Sequence, residues 1–449
     1  MGVRGKVLIL AKSFLSGLLT LLAVIAAVAV LIGAPWPLLL GVTLLLGAWL
    51  LWTRIGQQAA SVTAIGVRTL TQRAGASFVI IIGIGGVVAV LVALLAMAEG
   101  YSQTLRRTGS ADSAVVLRGG SSAEVNSVLA HDDALVIADA PGVAHDAAGK
   151  PITSAELVVA ANLPIKKSRD PDDLGSVQLR GIGPGAWQLR SNARIISGEK
   201  FRPGLRELVV GRGAQRQFAG LEVGREVKLG SQPWRVVGVF ETKDALESEV
   251  WADATDVGAA YRRGSSLSSV FVRLTDPGAY NQFKAALGAD PRLKVDVATT
   301  TEYYGKQSET ITKVIRIVGL VVGAIMAIGA VFGALNTMFA AVATRAREIA
   351  TLRAIGFRGV AVVVAVMIET MLLALLGGAL GGLMAWLVFN GFTASSIAGG
   401  VGQLSFDFKV TGPLLWTGMT WALAIGVIGG LYPALRAARL PVASALRDN

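Results

Sequence analysis

The sequence contains no cysteine and only two histidines, His131 and His145. Disulfides, thiolate chemistry and zinc sites built on Cys and His are excluded. His131 is followed by Asp132-Asp133 and His145 by Asp146, a pattern that reads as solvated surface rather than a metal pair. HExxH and GxSxG motifs are missing, and no spaced metal cluster replaces them. A P-loop is missing too. The pairs Gly5-Lys6, Gly149-Lys150 and Gly305-Lys306 are followed by Val7, Pro151 and Gln307, where phosphate binding requires Ser or Thr. An enzyme is therefore not expected, and no cofactor is expected in this chain. Any ATP and Mg would be bound by a partner. Charge is scarce as well, at 16% of residues, against roughly 25% in soluble domains.

What the chain has instead is apolar sequence, 53% of residues, with a mean hydropathy of +0.58. A bilayer core of about 30 Å takes roughly 20 apolar residues in a helix. Six stretches qualify or nearly so: 14–33, 37–53, 77–98, 313–343, 360–389 and 412–434. The fourth opens with Lys313 and Arg316, so its first turns should stand outside the lipid. The first follows Arg4, Lys6 and Lys12, which also fits a signal peptide. We prefer a membrane hairpin turning at Pro35-Trp36-Pro37, with the prolines as helix breakers.

The formal charge is +12, which by itself would suggest nucleic acid. Its placement argues otherwise. With a cytoplasmic N-terminus, segments 1–13, 54–76, 344–359 and 435–449 hold about +11, and segment 101–310 about +1. The short outer loops 34–36 and 390–411 carry Lys409 as their one base. That asymmetry puts both termini in the cytoplasm. No nucleic-acid partner is expected; membrane lipid is.

Segment 56–75 places Val62, Ile65, Val67 and Leu70 among Gln57, Gln58, Arg68, Gln72 and Arg73. It suits an amphipathic helix on the inner membrane surface, with a plain loop as the alternative. Residues 101–310 read as an α+β domain of two subdomains, with 175–250 inserted between 101–174 and 251–300. Candidate strands are 113–118, 156–161, 176–181, 207–211, 226–229, 234–240, 269–274 and 294–298. Candidate helices are 123–130, 212–219, 252–261 and 277–287, with Ser122 and Asp276 as N-caps. Glu241, Asp244, Glu247 and Glu249 crowd one stretch that reads as a solvated loop, with a ligand or partner surface as the alternative.

Loop 344–359, TRAREIATLRAIGFRG, is too regular for a passive linker. Ile349, Leu352 and Ile355 fall on one helical face, and Arg345, Arg347 and Arg353 project a basic surface. Glu348 pairs naturally with Arg345, and Gly356 is a helix stop. Such a helix could dock in a groove on a soluble partner or lie on the membrane. Within the spans, Asn336 and Glu369 are the polar candidates. Glu369 would be bonded inside the bundle, either as a structural pair or as a link between loop and stalk. Small-xxx-small pairs, among them Gly319/Gly323, Gly329/Gly333, Gly377/Gly381, Gly378/Gly382 and Gly426/Gly430, support close helix packing and a two-fold dimer.

Residues 336–356, NTMFAAVATRAREIATLRAIG, resemble the signature of the MacB/FtsX-type ABC transporter permeases. The run 430–447, GLYPALRAARLPVASALR, resembles the closing motif of that superfamily, with Pro433, Arg436, Arg439 and Pro441. Segment 66–76 with the span after it, and 207–240 with its WRVVGVF, are similar to the family's first membrane entry and periplasmic domain. The resemblance covers about 56–449. It implies an α-helical integral membrane protein of the bacterial inner membrane. The parts are an N-terminal hairpin (1–55), an amphipathic helix and first core span (56–100), a MacB-like periplasmic domain (101–310) and an FtsX-like transmembrane domain (311–449). The family core has four spans, and the extra hairpin makes six. Positions 345–356 would be the coupling helix on a cytoplasmic ABC ATP-binding subunit, with Arg345, Arg347, Glu348, Leu352, Arg353, Ile355 and Gly356 as its site. The fourth span would be a stalk transmitting ATP-driven motion outward, the mode called mechanotransmission. Expected partners are that ATPase in trans, a second permease copy as homodimer or heterodimer, and a periplasmic adaptor or lipoprotein. Lipoproteins, peptides and amphiphiles are the candidate cargo. The alternative function is a non-transporting regulator of a cell-envelope enzyme. The chain departs from MacB in showing no fused ATP-binding domain and in carrying the hairpin.

Overall fold

The computed structural model describes residues 26–70, 74–166, 168–170, 172–398 and 402–439. The expected span 14–33 therefore lies partly outside the described residues. In chain order, helices Ala26–Gly33 (α1) and Trp36–Trp52 (α2) meet at a bend of 117°. The bend falls at Pro35, the N-cap residue, which is extended at φ −69°, with Pro37 in the first turn of α2. Trp416 Nε1 donates to the Ala34 carbonyl at 3.0 Å, anchoring this turn. Helices Arg54–Leu70 (α3) and Ala74–Thr108 (α4) follow.

The α+β part begins with strand Ser113–Arg118 (β1), a 3-10 turn Glu124–Asn126 and helix His131–Ala138 (α5). Next come Thr153–Pro164 (β2), Leu174–Ile182 (β3), Ala186–Leu189 (α6), Arg194–Gly198 (β4), Glu207–Gly211 (β5) and Arg212–Gln217 (α7). Glu226–Leu229 (β6), Gln232–Glu241 (β7), Glu249–Asp253 (β8) and Ala254–Ala260 (α8) continue it. Ser269–Arg273 (β9), Ala279–Ala289 (α9) and Val295–Thr299 (β10) complete it. The 45-residue helix Thr300–Thr344 (α10), the short helix Ala346–Ala354 (α11) and Gly359–Phe389 (α12) come after. A hairpin, Thr393–Ala398 (β11) and Gly402–Asp407 (β12), precedes the last described helix, Gly412–Ala438 (α13).

The described residues form two compact units: those within 1–97, 315–390 and 409–449, and those within 98–314 and 391–408. The boundary falls inside α4 and α10.

In the second unit one ten-stranded sheet runs β10-β1-β9-β2-β3-β8-β5-β7-β4, with β6 beside β7. Two pairs are parallel, β3 with β8 and β5 with β7. Alternation sorts the side chains. Val116, Val270 and Val272 face α5 and α9 and bury Ile137 and Phe283. Leu179, Val210 and Val250 meet Phe218, Trp234 and Val257 in a second core. Full burial of one such aromatic is worth roughly 3 kcal/mol.

Four expectations need correction. No helix covers 123–130: a single 3-10 turn stands there, and the helix starts at His131, where Asp133 Oδ2 accepts the Ala130 N–H at 3.0 Å. Ser122 caps nothing that begins there. Asp276 accepts the Gly278 N–H at 2.7 Å, but the N-cap residue of α9 is Gly278, without a side-chain cap. Strands β4, β8, β11 and β12 were not expected, because β4 is an exposed edge with a bulge and β8 lies in the acidic stretch.

In the first unit the helices satisfy their own backbone groups, as lipid demands. Helices α4, α12 and α13 approach through glycine. A Cβ on Gly381 would lie 2.3 Å from the Gly85 carbonyl oxygen, and one on Gly426 would lie 2.7 Å from Ala374 Cβ. Gly319 and Gly323 of α10 lie against Leu94 and Leu91 of α4, whereas Gly329 and Gly333 face open space. Along α10 the side chains of Ile317, Ile325, Ile328 and Phe332 are exposed. Gly381→Leu should cost about 3 kcal/mol by forcing α12 off α4. Thermal unfolding in detergent, with Gly329→Leu as the neutral control, measures the difference.

Candidate functional site

Helix α10 ends at Thr344 because Arg345 leaves the helical conformation (φ −103°, ψ 9°) and becomes the N-cap residue of α11. The side chain then turns inward. Its Nη1 donates to Glu369 Oε2 of α12 at 3.0 Å, and its Nε to Glu348 Oε2 at 3.3 Å. Arg345 is 6% exposed and Glu369 5%. A third element closes over them: a Cβ on Gly66 of α3 would lie 2.9 Å from Glu369 Oε2 and 3.1 Å from Arg345 Nη1. Two charges taken out of water hold one another only at close range, and removing either leaves the other uncompensated.

Helix α11 stops at Gly356, whose φ of +109° is a conformation that glycine adopts without strain. The Gly356 N–H donates to the Arg353 carbonyl and the Phe357 N–H to the Leu352 carbonyl, both at 3.1 Å. This is the paired bonding of a glycine-stopped helix end.

The expected residues therefore divide. Arg345 belongs to no basic surface, because Glu369 draws it inside. The expected apolar face is also not one buried face. Ile349 and Ala350 are buried, Leu352 is half-buried, and Ile355 is 73% exposed. Arg347, Glu348, Ile355 and Gly356 line the exposed side, and Arg353 is half-buried. Asn336 is exposed on α10. Pro433 is buried within α13, and Arg436 is exposed with its guanidinium 5.4 Å from the Phe339 ring centroid. Arg439 is the C-cap residue of α13. Pro441 lies outside the described residues.

A second charged centre, in the second unit (98–314 and 391–408, the outer unit below), was missed by sequence reasoning. Arg180 of β3 donates from Nε to Glu249 Oε2 at 2.7 Å and from Nη1 to Glu124 Oε1 at 2.7 Å and Glu156 Oε2 at 2.9 Å. Arg190 clamps both oxygens of Glu156 at 2.6 and 2.8 Å. Burial pushes the Glu156 carboxyl up, but Arg190 and Arg180 outweigh it and hold it below the usual range. Ser154, Ser269 and Trp251 donate to the same carboxylates. The first turn of α10 joins in through Tyr303, whose hydroxyl oxygen accepts the Glu124 N–H at 3.2 Å. The available signal was a charge in the middle of an apolar strand, Glu156 in AELVV and Arg180 in VQLRG.

The stretch expected to be a solvated loop is thus built into the domain. Glu249 pairs with Arg180. Asp244 is buried and accepts from Thr242 Oγ1, Asn192 Nδ2 and the Leu246 N–H. Glu247 accepts the Thr242 and Lys243 N–H groups, and Glu241 pairs with Arg212. Burial pushes the Asp244 carboxyl up to about 6. Among the described residues, no group of three His, Cys, Asp or Glu is placed to hold a metal ion.

A family model described as the MacB-like periplasmic core domain matches residues 77–290. One described as the FtsX-like permease C-terminal region matches residues 320–442. The chain is 26% identical over 335 residues to the macrolide export ATP-binding/permease protein MacB of Shewanella oneidensis, covering 66% of this chain and 49% of that protein. It is 26% identical over 245 residues to the protein of the same name from Vibrio parahaemolyticus, covering 50% of this chain and 35% of that one. The chain thus spans about half the length, or less, of these curated relatives. Among solved structures, the periplasmic region of MacB from Actinobacillus actinomycetemcomitans aligns at 15% identity and a TM-score of 0.33, covering 46% of this chain and 94% of that one.

Two outcomes test the outer unit. Arg180→Met should lower its stability by about 3–5 kcal/mol, because three carboxylates lose their common partner; denaturant unfolding of the full chain reads this. Asp244 has a folded-state pKa above its ordinary 3.8, so the folded state binds this proton more tightly than the unfolded one. Its contribution to stability should be fully present below pH 3.8 and fall by about 3 kcal/mol as pH rises to about 6. Asp244→Asn should flatten that slope in unfolding curves measured across the window.

Proposed function

The chain belongs to the MacB/FtsX-type permeases, multi-pass proteins of the inner membrane, and on that premise we propose that it couples ATP hydrolysis in a separate ABC ATP-binding subunit to movement of its periplasmic domain. The observation that carries this reading is α10. It runs unbroken from Thr300, directly after the last strand of the sheet, to Thr344, directly before Arg345 and α11. At 1.5 Å per residue that is roughly 68 Å of hydrogen-bonded rod. Such a rod delivers a displacement at one end to the other with little loss.

On this reading α11 is the coupling helix, and its exposed side, with Arg347, Glu348 and Ile355, meets the ATPase. ATP and Mg are bound there, and this chain remains non-catalytic. Both termini are cytoplasmic on this reading, which the basic segments of the sequence support. The working assembly is a permease dimer with two ATPase copies. The movement exports or extracts an amphiphilic cargo, such as a lipoprotein, a peptide or a drug, from the periplasmic side.

Tagged protein purified from its native membrane should carry an ATP-binding subunit whose ATPase rate rises in the complex. Arg347→Glu combined with Ile355→Asp should weaken that association by about tenfold or more, with no change in the melting temperature of the permease. Purification without any ATP-binding subunit would defeat the proposal.

A further inference from the structure

The buried side of α3 is made mostly of small residues. Gly56, Ala59, Val62 and Gly66 are buried at spacings of three and four, while Ile65 and Val67 are exposed. Small residues on the buried stripe allow close approach of the backbone. That approach ends at the ion pair, since a Cβ on Gly66 would press on Glu369 Oε2 and Arg345 Nη1 and make them shift. Two turns earlier on α3, Gln58 Oε1 accepts the Arg358 N–H at 3.3 Å. Arg345 is the residue before α11, and Arg358 is the N-cap residue of α12 just after it. The one helix α3 therefore holds both ends of the segment that carries α11.

We infer that α3 and α11 move as a single rigid coupling element, with Gly66, Arg345 and Glu369 as its positioning residues. The inference rests on the reading of α11 as the coupling helix and adds a second route to it. Separating two buried charges is costly in a medium of low dielectric, so the Arg345–Glu369 pair resists sliding. Gly66 seats the α3 backbone on that pair without a flexible side chain between them. A push on α11 then reaches α12 through Glu369 and α3 through Gly66 and Gln58. In sequence α10 leads into α11 and α4 follows α3, and α4 and α10 are the two helices that flank the periplasmic domain in the chain.

The absence of cysteine makes a direct test available. Ser61→Cys on α3 and Thr351→Cys on α11, both exposed, supply two spin-label sites in the full chain. In the chain alone, pulsed electron paramagnetic resonance should give one narrow interlabel distance. Glu369→Gln and Gly66→Leu should broaden it, and the milder Gly66→Ala should broaden it less. Equal widths in all four proteins would overturn the inference, whatever partner the chain has. In the complex with the ATPase subunit, the distance should be the same without nucleotide and with ATP trapped. A shift between those states would overturn the inference while leaving the proposed function intact. Glu369→Gln should also lower ATP-driven turnover by about tenfold while the ATPase subunit still co-purifies. Full turnover in this variant would again overturn it. Failure of the unsubstituted chain to bind any ATPase would instead count against the proposed function, and the first arm would still decide the rigidity of α3 and α11.

Discussion

A guanidinium and a carboxylate that have both left water compensate each other only in direct contact, and this constraint organises each unit of the molecule. In the membrane unit it acts at Arg345 and Glu369, where the chain turns from α10 into α11. In the outer unit it acts at Arg180, which gathers Glu124, Glu156 and Glu249. Neither centre is a cheap source of stability, since the Coulomb gain is spent on desolvation. What each fixes is position. Elements distant in sequence can satisfy the charges only at one register, so the pair selects an arrangement that apolar packing alone leaves loose.

The glycine contacts of the membrane unit do the complementary work. Hydrocarbon gives no hydrophobic drive for one apolar helix to prefer another over lipid, so packing must come from close approach. Gly85 and Gly381 supply it by bringing α4 and α12 to backbone distance, and Gly418 and Gly426 of α13 by admitting side chains of α4 and α12 against their own backbone. Gly66 extends the same device from helix–helix contact to a charge pair. The result is a tightly packed set of helices beside an α10 whose apolar residues are largely exposed.

What could be read from the sequence follows the range of the interactions that decide it. Hydropathy marks α4, α10, α12 and α13 because a span is a local property, and Pro35-Trp36-Pro37 marks the bend between α1 and α2. Alternation marks most strands, and Gly356 marks the end of α11. Three kinds of feature escaped. Helical periodicity carried through Arg345 placed its side chain on the surface, but the helix breaks there and α11 starts a new phase. Apolarity marked Val62, Ile65, Val67 and Leu70 on an amphipathic α3, and Val62 is indeed buried, but it gave no sign of the close approach made by Gly56, Ala59 and Gly66, residues that hydrophobicity scales rank low. The Arg180 centre joins residues 24, 56 and 69 positions away, and no spacing rule reaches that far.

The same reasoning gives meaning to what is left exposed around α11. In a monomer in water, an isoleucine as open as Ile355 beside Arg347 and Glu348 would be an ordinary surface residue. Here it sits on a segment whose Arg345 is withdrawn and paired, and whose ends are tied to α3. A segment that needed only to connect two spans would have no use for that much internal fixing. The proposed function gives that fixing a use, because a docked partner moves a helix only if the helix cannot yield by itself. Under that proposal the buried pair and the exposed edge are two sides of one requirement: contact outside, and no slack inside.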